Sequence, residues 1–474
     1  MLFNSPHFLL FLPVVWALYV LLKHRYQNIL LLLASYFFYG CWDWRFLALL
    51  WVSTIVDFFS GIAMVRYGSK RLLFLIVSLA TNLGILGTFK YFDFFTQSAA
   101  GMLETLGLQP DFVTLGLVLP VGISFYTFQT MAYSIDVYRG RQKPTTNLLH
   151  FAIYVAYFPQ LVAGPIERTQ HLLPQIKNKR TVRISDIFAG IQLCIMGYFK
   201  KVFIADGVGS LVDRSFAQYD ALSATGLLIT AYLFALQIYG DFSGYSDIAR
   251  GVSRFFGIRL RVNFAQPYLS SNITEFWRRW HISLSAWLRD YLYIPLGGNR
   301  KGKFRTYLNN FATMLLGGLW HGASWNFVIW GGMHGSYLTT HKASLRGEKV
   351  ELNAPPRKMI AILKWSLGCL LTFNLVCLTW IFFRAESLSQ ASSFIFGLLT
   401  LKSGEVSSQL AFAYLIFYGS ATLLLDSLCY FQQSELPFQN KCPPIVRGLA
   451  YAVMLFLVVS VGENHAPPFI YFQF

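Results

Sequence analysis

Long apolar runs without a charged residue recur along the chain, and they constrain its fold more than any other feature. Four of these runs approach the roughly 20 residues that a helix needs to cross a bilayer. They are Leu72–Phe89, Phe112–Ile135, Ala221–Tyr239 and Trp365–Phe383. The runs are continuous rather than alternating, so we reject a membrane β-barrel. We predict an all-α multipass membrane protein with about 11 membrane helices, several of them short, re-entrant or interfacial.

Composition and charge agree with a membrane protein. Of the 474 residues, 55% are hydrophobic and only 13% are charged, yet the net charge is +17. The polar stretches are short and basic: Gln170–Ser185, Arg250–Arg261, Gly297–Arg305 and Arg346–Lys358. We expect them in the cytoplasm, in contact with the bilayer surface, and we expect no nucleic-acid partner because they flank membrane segments. The six cysteines lack metal-ligand spacing, so we predict no metal and no disulfide.

The N-terminal apolar run is expected to remain as a membrane segment. No basic residue precedes it and no small-residue cleavage site follows, which argues against a signal peptide. The basic cluster Lys23–Arg25 follows the run, so the N-terminus is predicted to lie outside. With no separate soluble domain visible, residues 1–474 are predicted to form a single integral membrane domain.

The centre of the chain mixes apolar and charged residues and carries a first histidine. From Phe276 the apolar residues recur at helical spacing, Asn272 with Glu275 resembles a capping box, and Pro295 is expected to end the helix. This pattern predicts one amphipathic helix at or below the membrane interface. Its His281 is, taken alone, best interpreted as an interfacial aromatic-like residue, unless the helix dips toward a second histidine.

That second histidine is His321, near the midpoint of a segment without charged side chains between Arg305 and Lys342. Neighbouring glycines offer a helix break or a close helix contact. A buried imidazole favours its neutral form, and a neutral imidazole can take a proton from a hydroxyl. A general base and a structural histidine bonding across helices both remain open here. For His334, among further glycines, packing or interfacial solvation is favoured.

Other charged residues within or beside the apolar runs allow several interpretations. Asp57, Lys90 and Asp136 can pair, snorkel or line a water-filled path. Asp241 and Asp247 can orient a histidine or pair with nearby arginines. The chain has no nucleophile elbow, phosphate loop, dinucleotide fingerprint or H-E-x-x-H motif, which leaves transport and acyl transfer.

Five motifs together resemble the membrane-bound O-acyltransferase family. They are "LPVGISFYTFQTMAYSIDVYRG" (Leu119–Gly140), "YFPQLVAGPIER" (Tyr157–Arg168), "YGDFSGYSDIARG" (Tyr239–Gly251), "NITEFWRRWHISLSAWLRDYLYIPLGGNR" (Asn272–Arg300) and "GGLWHGASWNFVIWGGMHG" (Gly317–Gly335). The similarity is greatest to the bacterial branch that takes part in alginate O-acetylation, and the ending "FIYFQF" (Phe469–Phe474) also resembles that branch. The resemblance implies a ring of tilted helices around a central catalytic tunnel, with a catalytic core at approximately 115–345.

The resemblance also implies which residues act. His321 matches the principal catalytic position of the family and His281 the second one. An imidazole base is expected to contribute about 10²–10⁴-fold. Oxyanion charge on a thioester needs hydrogen-bond donors, for which His281, tryptophan indole N–H groups and Asn326 are all candidates. Supporting candidates for donation or orientation are Trp280, Trp320, Asn326 and Asp241.

The function expected from the sequence is therefore acyl transfer in the inner membrane of a bacterium. A cytoplasmic thioester, acetyl-CoA or an acyl carrier, is expected to supply an acetyl group for a cell-envelope polysaccharide such as alginate, another exopolysaccharide or peptidoglycan. The resemblance implies an extracytoplasmic partner of the SGNH-hydrolase type, and no permanently bound cofactor is expected. The alternatives are D-alanyl transfer to teichoic acid and a transporter of polymer or lipid without covalent chemistry.

Overall fold

The computed structural model describes residues 1–109, 111–162, 164–345, 356, 358–404, 406–438, 442–461 and 469–470. The described residues are 78% helical, and they form no strand beyond an isolated bridge between Leu222 and Val406. Within these ranges, seven helical stretches are long and apolar enough to cross a membrane. The chain is thus an all-helical multipass membrane protein, while the expected number of about 11 membrane helices is not confirmed.

The chain divides into two compact units. The first comprises 1–191 and 249–261, and the second comprises 192–248 and 262–474. The helices are α1 (Pro6–Leu21), α2 (His24–Asp43), α3 (Leu47–Arg66), α4 (Arg71–Leu86), α5 (Phe92–Thr105), α6 (Ile123–Tyr138), α7 (Leu148–Ala156), α8 (Phe158–Leu161), α9 (Thr169–Lys177), α10 (Ile184–Tyr198), α11 (Gly207–Ala217), α12 (Ala224–Phe255), α13 (Ile273–Arg279), α14 (Ile282–Leu288), α15 (Gly302–His321), α16 (Trp325–Ser344), α17 (Met359–Arg384), α18 (Leu388–Leu399), α19 (Gln409–Gln432) and α20 (Pro444–Val461). The prediction of one domain over 1–474, with a catalytic core near 115–345, stays a prediction.

In the first unit, one predicted apolar run is only half helical. Helix α6 begins at Ile123, and residues 111–120 lie outside helices. Pro120 explains the late start, because proline lacks a backbone donor and disfavours helical geometry in the residue before it. The apolar run Phe112–Ile135, although near the length of a membrane span, is therefore helical only from Ile123.

Asp57, one of the charges predicted within an apolar run, is fully buried in the first unit. Its carboxylate accepts hydrogen bonds from Asn82 Nδ2 (2.8 Å) and Ser134 Oγ (3.2 Å), and also from the Ser78 hydroxyl. A buried carboxylate needs such donors because it has left its hydration shell behind. Neutral side chains of α4 and α6 thus hold this acid of α3 in place.

In the second unit, α15 and α16 form a tightly packed hairpin joined by the short connection 322–324. A Cβ atom on Gly331 would clash with the Met314 carbonyl oxygen and would lie 3.1 Å from the Cα of Gly318. Small residues therefore let the two helix backbones approach closely. Because α15 ends at His321, this contact holds the histidine at the tip of the hairpin.

We predict that Gly331→Ala destabilises the protein by about 1–3 kcal/mol, because the added methyl group meets backbone atoms that cannot rotate away. Gly332→Ala is the matched control, since its Cβ would find its nearest neighbour at 3.7 Å, an ordinary contact. Thermal unfolding of both purified variants in detergent, followed by tryptophan fluorescence, measures the difference. Equal unfolding midpoints for the two variants would refute the close-contact interpretation.

Candidate active site

The site begins with a break in the predicted amphipathic helix. Asn272 caps its start as expected, because Asn272 Oδ1 accepts from the backbone N–H of Glu275 at 2.9 Å. The helix then stops at Arg279, and α14 begins only at Ile282. The prediction of one continuous helix here is therefore wrong. At the break, His281 adopts φ 41° and ψ 55° in the left-handed region, which a residue with a Cβ adopts at a cost of about 1–2 kcal/mol.

Asn263 satisfies the backbone groups that the break leaves without helical partners. The N–H of Ile282 donates to the Asn263 carbonyl oxygen at 2.9 Å. The backbone N–H and the hydroxyl of Ser283 donate to Asn263 Oδ1 at 3.2 and 2.9 Å. Asn263 is itself 1% exposed, so it serves as a buried cap supplied from outside the helix.

The same asparagine fixes the tautomer of His281. Nδ1 of this fully buried imidazole lies 3.2 Å from Asn263 Oδ1. That oxygen is an acceptor, since two groups of Ser283 already donate to it, so Nδ1 carries the proton in the neutral ring. Nε2 then holds the lone pair. His281 therefore presents a proton acceptor through Nε2, and its only N–H is directed to Asn263.

His321 lies at the C-terminal end of α15 and is 3% exposed. Aromatic rings surround its imidazole: the centroid distances are 5.0 Å to Trp320, 4.9 Å to Trp330 and 5.5 Å to Phe383. The carbonyl dipoles at a helix C-terminus favour nearby positive charge. The end of α15 is thus suited to the positive charge that an imidazole gains when it takes a proton.

The structure brings the two predicted histidines together. Their ring centroids are 6.4 Å apart and their planes meet at 63°. The indole of Trp320 contacts both rings, at 5.9 Å from His281 and 5.0 Å from His321. Two imidazoles separated by 40 positions in the sequence therefore share one aromatic enclosure.

Two other supporting candidates lie around this enclosure. Trp280 is fully buried and stacks on Phe276, with centroids 5.6 Å apart. Asn326 is buried near the start of α16, where its Nδ2 donates to the carbonyl oxygen of Ala385 at 2.6 Å. The amide of Asn326 therefore ties α16 to the end of α17.

Asp241, the last supporting candidate, pairs with a lysine. Its Oδ1 lies 2.6 Å from Lys201 Nζ, and its Oδ2 accepts from the backbone N–H of Ile470 at 2.6 Å. Its neighbour Phe242 packs edge-on against His281 at 4.7 Å. Asp241 thus anchors the segment that contains Ile470 to α12, one residue from a ring that contacts His281.

Asp247 has a lysine partner as well. Lys200 Nζ lies 2.8 Å from Asp247 Oδ2 and 3.0 Å from the Ser243 hydroxyl. Sequence reasoning offered a histidine or nearby arginines as partners of Asp241 and Asp247, and missed both lysines. Buried charges are retained when they are paired in this way.

His334 has a structural environment. It is fully buried, and its Nδ1 accepts from Trp277 Nε1 at 3.3 Å. Nε2 must then carry the proton, which it donates to Thr379 Oγ1 at 2.9 Å, and this hydroxyl donates to the Val376 carbonyl oxygen at 2.7 Å. Both ring nitrogens are therefore engaged in packing α13, α16 and α17 together, as favoured from the sequence.

Sequence reasoning missed Trp330 and Asn263. Trp330 is fully buried against His321, and within the described part of the chain its indole N–H has no hydrogen-bond partner. Its position, nine residues after His321 across the short turn 322–324, is the one available signal. The sequence around Asn263 shows only an amide near basic and aromatic residues. This pattern does not reveal that its partner His281 lies 18 residues further along the chain.

Comparisons with known proteins identify the family of the chain. A family model described as the membrane-bound O-acyltransferase family matches residues 141–365, a range that contains both histidines. A relative in Pseudomonas putida, a probable alginate O-acetylase named AlgI, is 40% identical and covers 100% of both chains. The chain belongs to the membrane-bound O-acyltransferase family and is an O-acyltransferase.

Two further relatives differ in their printed activities. A peptidoglycan O-acetyltransferase of Helicobacter pylori is 35% identical, covering 100% of this chain and 98% of its own length. A teichoic acid D-alanyltransferase of Streptococcus thermophilus is 31% identical and matches 57% of this chain and 69% of its own length. The two O-acetylating relatives therefore match over nearly full length, and the D-alanylating one over a part.

We predict that Asn263→Ala lowers acyl transfer and costs about 1–3 kcal/mol of stability, because it removes Oδ1, the acceptor of the Ser283 N–H and of His281 Nδ1. Ser283→Ala is the matched control, since it removes one donor to Asn263 Oδ1 and leaves the His281 bond intact. Asn263→Asp retains the acceptor oxygen and should restore part of the activity. Turnover and unfolding midpoints of the three variants measure this, and full activity in Asn263→Ala would contradict the assigned role.

Proposed function

We propose that the chain transfers an acetyl group from a cytoplasmic thioester to a hydroxyl, for the O-acetylation of a cell-envelope polysaccharide. The observation that carries the proposal is the pair of buried imidazoles with centroids 6.4 Å apart, one at a helix end and one at a helix break. The printed names of the two full-length relatives, an alginate O-acetylase and a peptidoglycan O-acetyltransferase, support acetyl over D-alanyl transfer. The acceptor class is accordingly a cell-envelope glycan.

In the proposed reaction, His321 acts as general base. Its imidazole takes the proton of the acceptor hydroxyl while the hydroxyl oxygen attacks the carbonyl carbon of the thioester. The tetrahedral intermediate collapses as the C–S bond breaks, and the imidazolium returns the proton to the thiolate. The products are an ester and a free thiol. The acceptor hydroxyl has one proton, which goes to His321, so the Nε2 lone pair of His281 accepts a hydrogen bond from a second hydroxyl of the acceptor and so orients it.

The oxyanion that forms on the thioester carbonyl needs a donor. Neutral His281 does not supply one, because its only N–H is directed to Asn263. Trp330 is better placed: its ring centroid lies 4.9 Å from that of His321, and among the described residues its Nε1 has no acceptor. A donor held in a dry, preorganised site stabilises developing charge strongly. Trp330 is therefore assigned to the oxyanion.

A cavity of about 800 Å³ in the second unit suits the donor. Apolar and aromatic side chains such as Trp277, Ile282 and Met314 line it, together with the cations Arg278, Arg289 and Lys342. The hydrogen bond to the Asp290 carboxylate raises the pKa of the Arg289 guanidinium. Cations beside an apolar channel fit a thioester whose carrier bears phosphates, such as acetyl-CoA.

This cavity approaches the histidine pair without including it. Ile282, which lines the cavity, directly follows His281 in the chain. Since His321 is 3% exposed, part of the aromatic enclosure moves when substrates bind. A reacting hydroxyl must come within about 3 Å of the base, so this movement is part of the proposed cycle.

The membrane setting completes the proposal. Donor and acceptor approach from opposite faces through the tunnel that the family resemblance implies, so the acetyl group crosses the bilayer without its carrier. The chain resides in the bacterial inner membrane, and an extracytoplasmic transferase of the SGNH-hydrolase type receives the group. The bacterial relatives and their envelope glycans support this setting.

We predict that His321→Ala lowers the rate of acetyl transfer from labelled acetyl-CoA by about 10²–10⁴-fold while the protein still folds, because the general base is lost. His334→Ala is the comparison: it breaks a buried hydrogen-bond chain and should lower stability and activity together. Purified variants are assayed for turnover and for unfolding midpoint. A transporter without covalent chemistry would show no acetyl turnover in the wild type, and undiminished turnover in His321→Ala would overturn the assigned base.

We predict that Trp330→Phe lowers turnover by about 10²–10³-fold, the usual cost of removing one oxyanion donor. Trp380→Phe is the matched control, because it is equally buried and its indole N–H also has no partner among the described residues. Trp380 packs against Trp330 with centroids 5.9 Å apart. The expected loss falls on kcat, with KM for the thioester little changed. Equal effects of the two substitutions would reduce Trp330 to packing.

A further inference from the structure

A basic cavity in the first unit is not used by the proposed acyl transfer. It has a volume of about 430 Å³. It lies between the end of α9, the connection to α10 and the turn after α12. The side chains of Lys179, Arg180, Arg183 and Arg259 line it, together with the carboxylate of Asp186. Four cations and one carboxylate thus face a cavity within the size range of small-molecule sites.

Two of these cations are available to a ligand. Lys179 and Arg183 are exposed, and neither forms an ion pair with any residue that the structure describes. Arg259 shares its charge with Asp186, at 2.8 Å, and its side chain still retains 63% exposure. The field in the cavity is therefore positive, and an anion that entered would meet at least two side chains without a competing carboxylate.

The walls of the cavity are fixed by hydrogen bonds. The Arg180 guanidinium donates to the Tyr19 hydroxyl at 2.7 Å and to Asn28 Oδ1 at 2.6 Å. Both partners are neutral, so Arg180 stays in place and keeps its charge uncompensated. The Gln175 side chain donates to the Arg259 carbonyl oxygen at 3.1 Å and accepts from the Arg259 N–H at 2.9 Å. A preorganised wall lowers the entropic cost of binding.

We infer that this cavity binds a phosphate group, carried either by the headgroup of an anionic lipid or by a soluble phosphate ester. Arginine and lysine side chains converging on one cavity match the charge and the acceptor oxygens of phosphate. General positive-inside bias accounts for basic loops, but it requires neither a cavity nor the locked Arg180. The inference goes beyond acyl transfer and does not depend on it.

The test measures binding rather than turnover. Detergent-purified protein is titrated with dioleoylphosphatidylglycerol, with dioleoylphosphatidylcholine as the lipid control, and separately with inorganic pyrophosphate at constant ionic strength. A ligand that binds the folded state raises the unfolding midpoint in a saturable manner. For Lys179→Ala/Arg183→Ala, we expect the half-saturating concentration of the active ligand to rise at least about tenfold.

Two further variants make the result specific. Arg66→Ala/Lys70→Ala removes the same charge from exposed positions of the same unit and should leave binding unchanged. Asp186→Asn removes the carboxylate that lines the cavity and should tighten binding. Because Lys179 and Arg183 are exposed, the ligand-free unfolding midpoint of their double variant should equal that of the wild type.

The ligands distinguish the two sources of phosphate. A shift with phosphatidylglycerol alone identifies a lipid headgroup, whereas a shift with pyrophosphate identifies a soluble phosphate ester. The inference is overturned if the wild type shows no saturable shift with either ligand. It is equally overturned if the double variant and the Arg66/Lys70 control respond alike.

Discussion

The hydrogen bonds of Asn263 are the interaction on which the candidate site depends. A helix broken inside an apolar enclosure leaves backbone N–H groups that each cost about 1–3 kcal/mol if unsatisfied. The backbone carbonyl oxygen of Asn263 accepts from the Ile282 N–H, and its side-chain Oδ1 accepts from the Ser283 N–H and from His281 Nδ1. One side chain therefore stabilises the break and fixes the imidazole tautomer. The local fold and the proposed chemistry both depend on Asn263, because losing its hydrogen bonds would disturb the helix break and the His281 tautomer together.

The close contact of α15 and α16 completes the site from the opposite direction. Glycine at positions 318 and 331 brings the two helix backbones together, so Trp330 on α16 reaches the ring of His321 on α15. The same hairpin ends α15 at His321, where the carbonyl dipoles would favour the imidazolium of the proposed proton transfer. Close helix packing thus brings together the proposed base and the proposed neighbouring donor.

The parts of the site that were predicted from the sequence are those set by local pattern. A histidine in the middle of an uncharged, glycine-rich segment indicates a special environment, and Asn272 indicates a helix start. The break at His281 was not predictable from periodicity, because Phe276 and Trp280 keep helical spacing up to it. The hydrogen bonds that satisfy the break come from Asn263, a partner distant in sequence.

Pairing between residues distant in sequence explains why the partners of Asp241 and Asp247 were not predicted. Lys200 and Lys201 lie on the turn of helix that follows α10, about 40 positions before the aspartates that they neutralise, so nearby arginines were the more obvious partners.

The late start of α6 has a local cause in Pro120, but the apolar composition of Phe112–Ile135 concealed it. Composition predicts that a segment is apolar, whereas proline decides where its helix begins.

The enclosure of His321 has a chemical consequence. A thioester is attacked by water as well as by a sugar hydroxyl, and water is far more abundant. With His321 3% exposed and His281 fully buried, the proposed base is kept from activating water when no acceptor is present. The aromatic side chains around His321 must move apart to admit a substrate, which slows access. The space that they open is lined by apolar surfaces such as those of Trp320 and Trp330. In the proposed reaction, selectivity for an alcohol over water follows from an enclosure that opens for a bound substrate and stays closed to solvent.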